Sequence, residues 1–335
     1  MKARIAVAIA WIVAGLIIAA LTLWGALVLF YLAPGSSGAR ETVAWGFAAL
    51  GLMTLGVLAI RRARRVAVPA FLLALALILI VWGRATPSNS RDWEPEVAVL
   101  PYADITGDLV TVHNIRNFDY RTETDFTPAY YDKTFDVRRL DRVDLVAVYW
   151  MGPAIAHLFV TFGFGDDHLA ISIEARKDRT REYATLPGFF RQYELVYIVA
   201  DERDVIRVRT NYRKSPPEDV YLFRLIGPIE NGRRVFLDYI RDINEVRKHP
   251  RFYNTLTTNC TTMILAHAAV NPGSLPYSWK VLLSGYAAEY AYDRGRLDRS
   301  LPFEELKRRS HINAVAQAAD TSPDFSARIR AGLPR

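Results

Sequence analysis

From Ile5 to Leu32 the chain runs without a single charged side chain. A helix of about 20 apolar residues already crosses the hydrocarbon core of a bilayer. In lipid, every backbone polar group must be satisfied within such a segment, so this run admits a membrane helix and little else. It is too long for the apolar region of a cleaved signal peptide, and Lys2 and Arg4 precede it. A turn, Pro34-Gly35-Ser36-Ser37-Gly38, then separates it from a second apolar stretch, Thr42 to Ile60. The basic Arg61-Arg62-Ala63-Arg64-Arg65 reads as a tight loop, and Val66 to Trp82 as a third span. Positive charge marks the cytoplasmic side, which places the N-terminus and the arginine loop inside and everything after Arg84 outside. None of the three spans carries an ionisable residue in its interior, the pattern of an anchor rather than of a transport path.

The 335 residues leave room beyond this anchor, about 1–84, for one well-cored soluble domain. A polar linker, 85–94, leads into a domain expected over 95–320, with 321–335 as a frayed tail. The net charge is +7, and the basic residues of the soluble part are scattered without a long run or a nucleic-acid motif, so they read as a solvated surface and not as a nucleic-acid site. The one cysteine excludes an intramolecular disulfide. The histidines lack metal-ligand spacing and no Walker or Rossmann glycine pattern is present, so neither a metal nor a cofactor is expected.

Within the soluble part, Val97 to Tyr120 mixes short strands and loops. The stretches 140–151, 156–164 and 169–175 are β-rich, and alternation is clearest in His157-Leu158-Phe159-Val160-Thr161-Phe162. Gly165-Asp166-Asp167 marks a hairpin turn. Residues 194–200 and 220–225 are further strands, and 230–249 has helical periodicity limited by Pro250. A helix-rich tail follows from Tyr277. The fold class is α+β, an antiparallel sheet packed on helices behind a membrane anchor.

The cysteine lies in Asn254-Thr255-Leu256-Thr257-Thr258-Asn259-Cys260-Thr261-Thr262, a polar cluster running into an apolar helical segment. Its Asn and Thr residues are N-cap formers, which puts Cys260 in a first helical turn. There the free N–H groups and the helix dipole favour a thiolate. The alternative is a buried, inert thiol acting as a small hydrophobe.

A thiol nucleophile needs a base and a group to orient it. His113, His249, His267 and His311 stand in loop or helix contexts with no evident partner, and His168 begins the second strand of the hairpin. His157 opens the first. Glu174 is a carboxylate in an otherwise apolar strand, on one face with Ser172 and Ala170, and antiparallel pairing would bring it across to His157. Its alternative is a surface ion pair with Arg176 or a helix arginine.

Taken together, Ala156 to Phe164, Ser172-Ile173-Glu174-Ala175-Arg176, Tyr193 to Ile198, Glu202-Arg203-Asp204, Arg251 to Thr261 and Leu301 to Leu306 resemble the Lnb N-terminal periplasmic domain family over most of 95–315. That family is similar to circularly permuted papain-like domains, in which the histidine precedes the cysteine. The resemblance implies Cys260 as nucleophile, His157 as base, and Glu174 with Arg176 in the site. Asn259 is a candidate oxyanion donor. Tyr253, Asn254, Thr258, Glu194, Arg203 and Asp204, with Tyr193, are candidates for its surroundings. Three spans ahead of the domain depart from family members whose extra membrane helices follow it.

The resemblance further implies a bacterial inner-membrane protein with a periplasmic domain. Its expected activity is thiol acyl transfer, with an acyl chain taken from a phospholipid onto Cys260 and passed to the N-terminus of a lipoprotein. A cysteine hydrolase of cell-envelope peptides or lipids, and a non-catalytic scaffold, are the alternatives.

Overall fold

In the computed structural model the described residues are 2–180 and 183–334, and they form two compact units. The first comprises residues 1–87 together with 184–192, and the second comprises 88–183 together with 193–335.

The first unit contains α1 (Lys2–Leu32), α2 (Ser37–Gly56) and α3 (Arg61–Arg84). Two segments are long and apolar enough to cross a membrane: Ile5–Leu32, of 28 residues, and α3, of 24. Two of the three expected spans are thus long and apolar enough by themselves, and α2 is not. In α2, Arg40 and Glu41 lie inside the helix, and the apolar remainder rises only about 22 Å. That falls short of the roughly 30 Å of a hydrocarbon core. The helix also stops at Gly56, before the expected Ile60. The arginine cluster is not a loop: Arg61 to Arg65 form the start of α3, and the turn falls on 57–60. Arg4 has its side chain outside the described ones. Val28, Phe47, Phe71, Leu75 and Ile78 pack between the three helices with Phe190 from the inserted segment.

The second unit is mixed α+β. Its strands are β1 (Tyr102–Thr106), β2 (Leu109–Arg116), β3 (Asp119–Tyr120), β4 (Phe126–Thr127), β5 (Tyr130–Asp136), β6 (Arg142–Tyr149), β7 (Ala156–Phe164), β8 (Asp167–Arg176), β9 (Glu194–Ala200) and β10 (Asp219–Arg224). An eight-stranded sheet runs β1-β2-β9-β8-β7-β6-β10, with β5 also paired to β2. Every pairing in it is antiparallel except the parallel contact of β2 with β9. β3 and β4 form a separate small ribbon. The expected strands appear within two residues of their predicted ends, and Gly165, at φ +72°, supplies the left-handed position of the β7–β8 turn.

The helices are α4 (Glu202–Arg207), α5 (Ile229–Lys248), α6 (Cys260–Ala268), α7 (Trp279–Leu282), α8 (Ala287–Asp293), α9 (Phe303–Arg309), α10 (Asn313–Ala318) and α11 (Phe325–Arg328). The central strands are apolar on both faces because both are covered. One face carries Leu158, Val160, Phe162 and Ile171 and packs on the stripe Phe236, Tyr239, Ile240, Ile243 and Val246 of α5. The other carries Phe159, Val196 and Ile198 and is covered by Val205, Ile206, Ile312, Phe325 and Ile329. The stretch expected to fray thus ends in two fully buried side chains, Phe325 and Ile329. Arg330 holds it further, reaching the buried carboxylates of Glu202 and Asp144.

Candidate active site

The loop before α6 is shaped by its own side chains. Asn254 Oδ1 accepts from the backbone N–H groups of Leu256 and Thr257, and the backbones of Asn254 and Thr258 pair with each other. Leu195 and Tyr253 donate backbone bonds to Arg251 and Tyr193 respectively, which fixes the loop to the start of β9. Asn259 then caps α6. Its side chain accepts from Thr262 N–H at 2.9 Å, while Thr262 Oγ1 accepts from the Asn259 N–H at 3.0 Å. This reciprocal cap leaves Cys260 as the first helical residue, half-buried, at the positive end of the helix.

β7 enters the sheet from a rigid corner. Tyr149 donates its hydroxyl to the Gly285 carbonyl, Gly285 N–H donates to Ala154, and Ala156 N–H donates to Ser284 Oγ. A Cβ at position 285 would overlap the Pro153 carbonyl, so glycine is required there. His157 follows this corner with its side chain 11% exposed. Its Nε2 lies 2.7 Å from Ser172 Oγ and 3.0 Å from Glu174 Oε1. Ser172 donates to the same carboxylate oxygen at 2.7 Å. Arg209 donates to it at 3.1 Å and lies 3.5 Å from Glu218. With Nε2 held in this way, Nδ1 is the ring nitrogen left for Cys260, which lies close enough for each group's charge to act on the other.

The electrostatics favour the charged pair. Burial by itself would lower the His157 pKa, but the Glu174 carboxylate and the Cys260 sulfur overcome it and raise the value above the ordinary histidine range. Burial would raise the Cys260 pKa; the imidazolium charge, its hydrogen bond and a backbone bond from Leu158 lower it instead. For Glu174, burial is likewise outweighed by His157 and Arg209, and the carboxyl is held well below its usual range. The arrangement therefore stabilises a thiolate–imidazolium pair with a permanently ionised carboxylate behind it.

Two tyrosines flank the thiol. Tyr183 and Tyr253 are hydrogen-bonded to each other, and burial and then the Cys260 charge raise the Tyr253 pKa. Tyr183 is half-exposed and stacks on Tyr193, with centroids 5.6 Å apart.

Of the predicted residues, the structure brings together Cys260, His157, Glu174 and Tyr253. Asn259 is adjacent, but its Oδ1 is committed to the cap and its Nδ2 to the Thr255 carbonyl at 2.7 Å, so it is no free oxyanion donor. Asn254 and Thr258 shape the loop. Arg176 is not in the site: it is buried under Trp93 and donates to the carbonyls of Val97 and Ala98 and to Asn89. Its strand position turns it toward the linker, which Glu194 also holds through Arg91 and the Ser88 N–H. Asp204 pairs with Arg116 and caps Phe118 N–H away from the thiol, and Arg203 lines a separate polar cleft. Ser172, two residues before Glu174 on the same face, was legible as a neighbour but not as a relay. Arg209 arrives from an irregular helical turn, 208–212, and no local pattern announces it.

Residues 126–285 match the family described as the Lnb N-terminal periplasmic domain. No curated protein and no solved structure matches the chain. The matched stretch contains every member of the cluster, from His157 to Cys260, while the apolar N-terminal helices lie ahead of it. Residues 126–285 are thus assigned to the Lnb N-terminal periplasmic domain family, and two helices long and apolar enough to cross a membrane precede them in the chain.

Proposed function

We propose that the protein is a membrane-anchored, extracytoplasmic thiol acyltransferase, and that its soluble unit is a circularly permuted papain-like domain in the inner membrane's periplasmic face. The observation that carries this reading is the placement of the His157 imidazole close enough to Cys260 to lower the thiol pKa, with Glu174 3.0 Å behind the ring. The Cys260 thiolate attacks a phospholipid ester carbonyl. An S–C bond forms, the ester C–O bond breaks, and the imidazolium gives its proton to the departing alkoxide. The α-amino group of a lipoprotein then attacks the thioester. A C–N bond forms, the C–S bond breaks, and His157 takes the amine proton, which restores the ion pair. Backbone N–H groups at the start of α6 receive the oxyanion in both steps. Glu174 and Ser172 hold the ring throughout, and Arg209 keeps the carboxylate ionised.

The family match and the anchoring helices support a lipid-borne substrate, since they tether the thiol to the surface where phospholipid esters are found. The test is mass spectrometry of lipoprotein N-termini in a strain lacking any other N-acyltransferase, with the wild-type chain and with Cys260→Ser. The expected result is an N-linked acyl group only with the wild type. An unchanged N-terminus, with release of free fatty acid instead, transfers the same residues to hydrolysis. No turnover of either kind removes the enzyme reading.

A further inference from the structure

The second unit contains a cavity of about 590 Å³ that the catalytic cluster does not use. One wall is a single stripe of α6, Thr261, Ile264, Leu265 and Ala268, spaced as neighbours on one helical face. The facing wall is sheet: Val143 and Leu145 of β6 with Leu158 and Val160 of β7. Val235 and Tyr239 of α5 complete it. The near end begins in the same helical turn as the thiol, at Thr261, and at Leu158, which follows His157 in β7. The far end is rimmed by Arg142, Arg224 and Arg296.

Tyr239 is fully buried and its hydroxyl has no hydrogen-bond partner among the described residues. A buried hydroxyl without a partner costs stability, so its presence in an apolar wall calls for a ligand that supplies an acceptor. It lies close enough to Cys260 for the sulfur's charge to act on it. Scaling from an apolar cavity of about 150 Å³ that takes one benzene, the volume of about 590 Å³ holds on the order of two dozen carbons. The segment 272–283, which supplies Pro272, Leu275 and Val281 to the lining, also exposes Tyr277, Trp279, Leu282 and Leu283. Aromatic and aliphatic side chains of this kind settle at a lipid interface.

We propose that this cavity seats an unbranched acyl chain, its carbonyl end at Cys260 within reach of the Tyr239 hydroxyl and its methylenes running along α6, so that the cavity's length selects the chain. This rests on the acyl-transfer reading and assigns it a chain-length determinant.

The experiment measures the acyl adduct on Cys260 by intact-protein mass, using the full chain in mixed micelles and p-nitrophenyl esters from acetyl to palmitoyl. The palmitoyl rate is expected to exceed the acetyl rate at least about 100-fold, since each buried methylene multiplies affinity about fourfold. Ala268→Phe and Ile264→Trp, which fill the cavity at two separate points, are each expected to lower that ratio at least about tenfold. Tyr239→Phe is expected to slow adduct formation at every chain length with an unchanged or raised Tm, because it removes the orphan hydroxyl. A flat wild-type ratio, or a ratio that neither folded filling variant alters, overturns the cavity proposal and leaves acyl transfer standing. If no ester of any length forms an adduct, the acyl-transfer reading falls. The cavity is then judged on Cys260→Ala by displacement of a dansyl-labelled fatty acid with palmitate, and binding that is absent, or that Ala268→Phe leaves intact, overturns it.

Discussion

His157 Nε2 lies 3.0 Å from Glu174 Oε1 because the β7–β8 register, in which Phe159 faces Ser172, carries residue 157 to a position opposite residue 174. The contact is a consequence of a hairpin, not of a flexible reach. The carboxylate's charge raises the His157 pKa, and the imidazolium in turn lowers that of Cys260. Glu174→Gln keeps the shape and removes the charge. The His157 pKa then falls, the ring is neutral near pH 7, and the thiol loses its counter-charge. Iodoacetamide alkylation against pH is expected to show the Cys260 pKa displaced upward, and turnover to drop by about 10²-fold or more. An unchanged alkylation profile would show that the thiolate does not depend on this carboxylate.

Ser172 joins the same oxygen from the side. It donates to Glu174, which leaves its own oxygen to accept from His157 Nε2–H. Ser172→Ala leaves the ion pair intact and removes one neutral link, which is worth about 1 kcal/mol or roughly fivefold in rate. A loss as large as that of Glu174→Gln would mean that the hydroxyl, and not the carboxylate, sets the ring.

A second buried cluster governs acid stability. Burial would raise the Glu202 pKa, but Arg330 outweighs it and holds the carboxyl at about 2. A folded pKa below the unfolded one gives stability that is complete above about pH 4.5 and is lost as pH falls toward 2. The shift corresponds to about 3 kcal/mol. Arg330→Met leaves Glu202 and Asp144 buried without their cation and is expected to destabilise by about 3–5 kcal/mol. Its Tm should also lose the share of the wild type's fall between pH 4.5 and 2 that Glu202 contributes. A variant with wild-type Tm throughout would show the cluster to be energetically idle.

The central hairpin was legible because its strands are rich in aliphatic, aromatic and β-branched residues and its turn carries Gly165 and two aspartates. The cap at Asn259 and the thiol's place in the first turn followed from the Thr/Asn cluster. Arg176 was expected in the site through the family resemblance, yet its guanidinium turns under Trp93 to meet backbone carbonyls of the linker. No periodicity encodes a non-local partner of that kind. Arg209 was invisible for the same reason, being brought to Glu174 by tertiary packing across 35 residues. The frayed tail was misjudged because Phe325 and Ile329 are isolated apolar residues in a polar stretch, and only the sheet face they cover explains them. The second span fell short on two charges, Arg40 and Glu41, that lie inside the helix and not before it.

The orientation of the anchor now turns on α2. An odd number of crossings separates the N-terminus from the soluble unit, whereas two crossings by Ile5–Leu32 and α3 alone would return the chain to the starting side. A periplasmic domain with a cytoplasmic N-terminus therefore requires α2 to cross as well, shielded by its neighbours. Gly51 of α2 already approaches Thr22 of α1 too closely for any Cβ, the small-residue contact by which membrane helices associate. The chain's single cysteine makes the test clean. In a Cys260→Ala background, Ser300→Cys places a thiol on an exposed site of the soluble unit. A membrane-impermeant maleimide is expected to label it in cells whose inner membrane is intact. Replacing Gly51 by Leu should separate α2 from α1 and reduce that labelling, because a helix with too few apolar residues crosses only when its partner is in place. Labelling only after the inner membrane is lysed would put the thiol in the cytoplasm and overturn the proposed location.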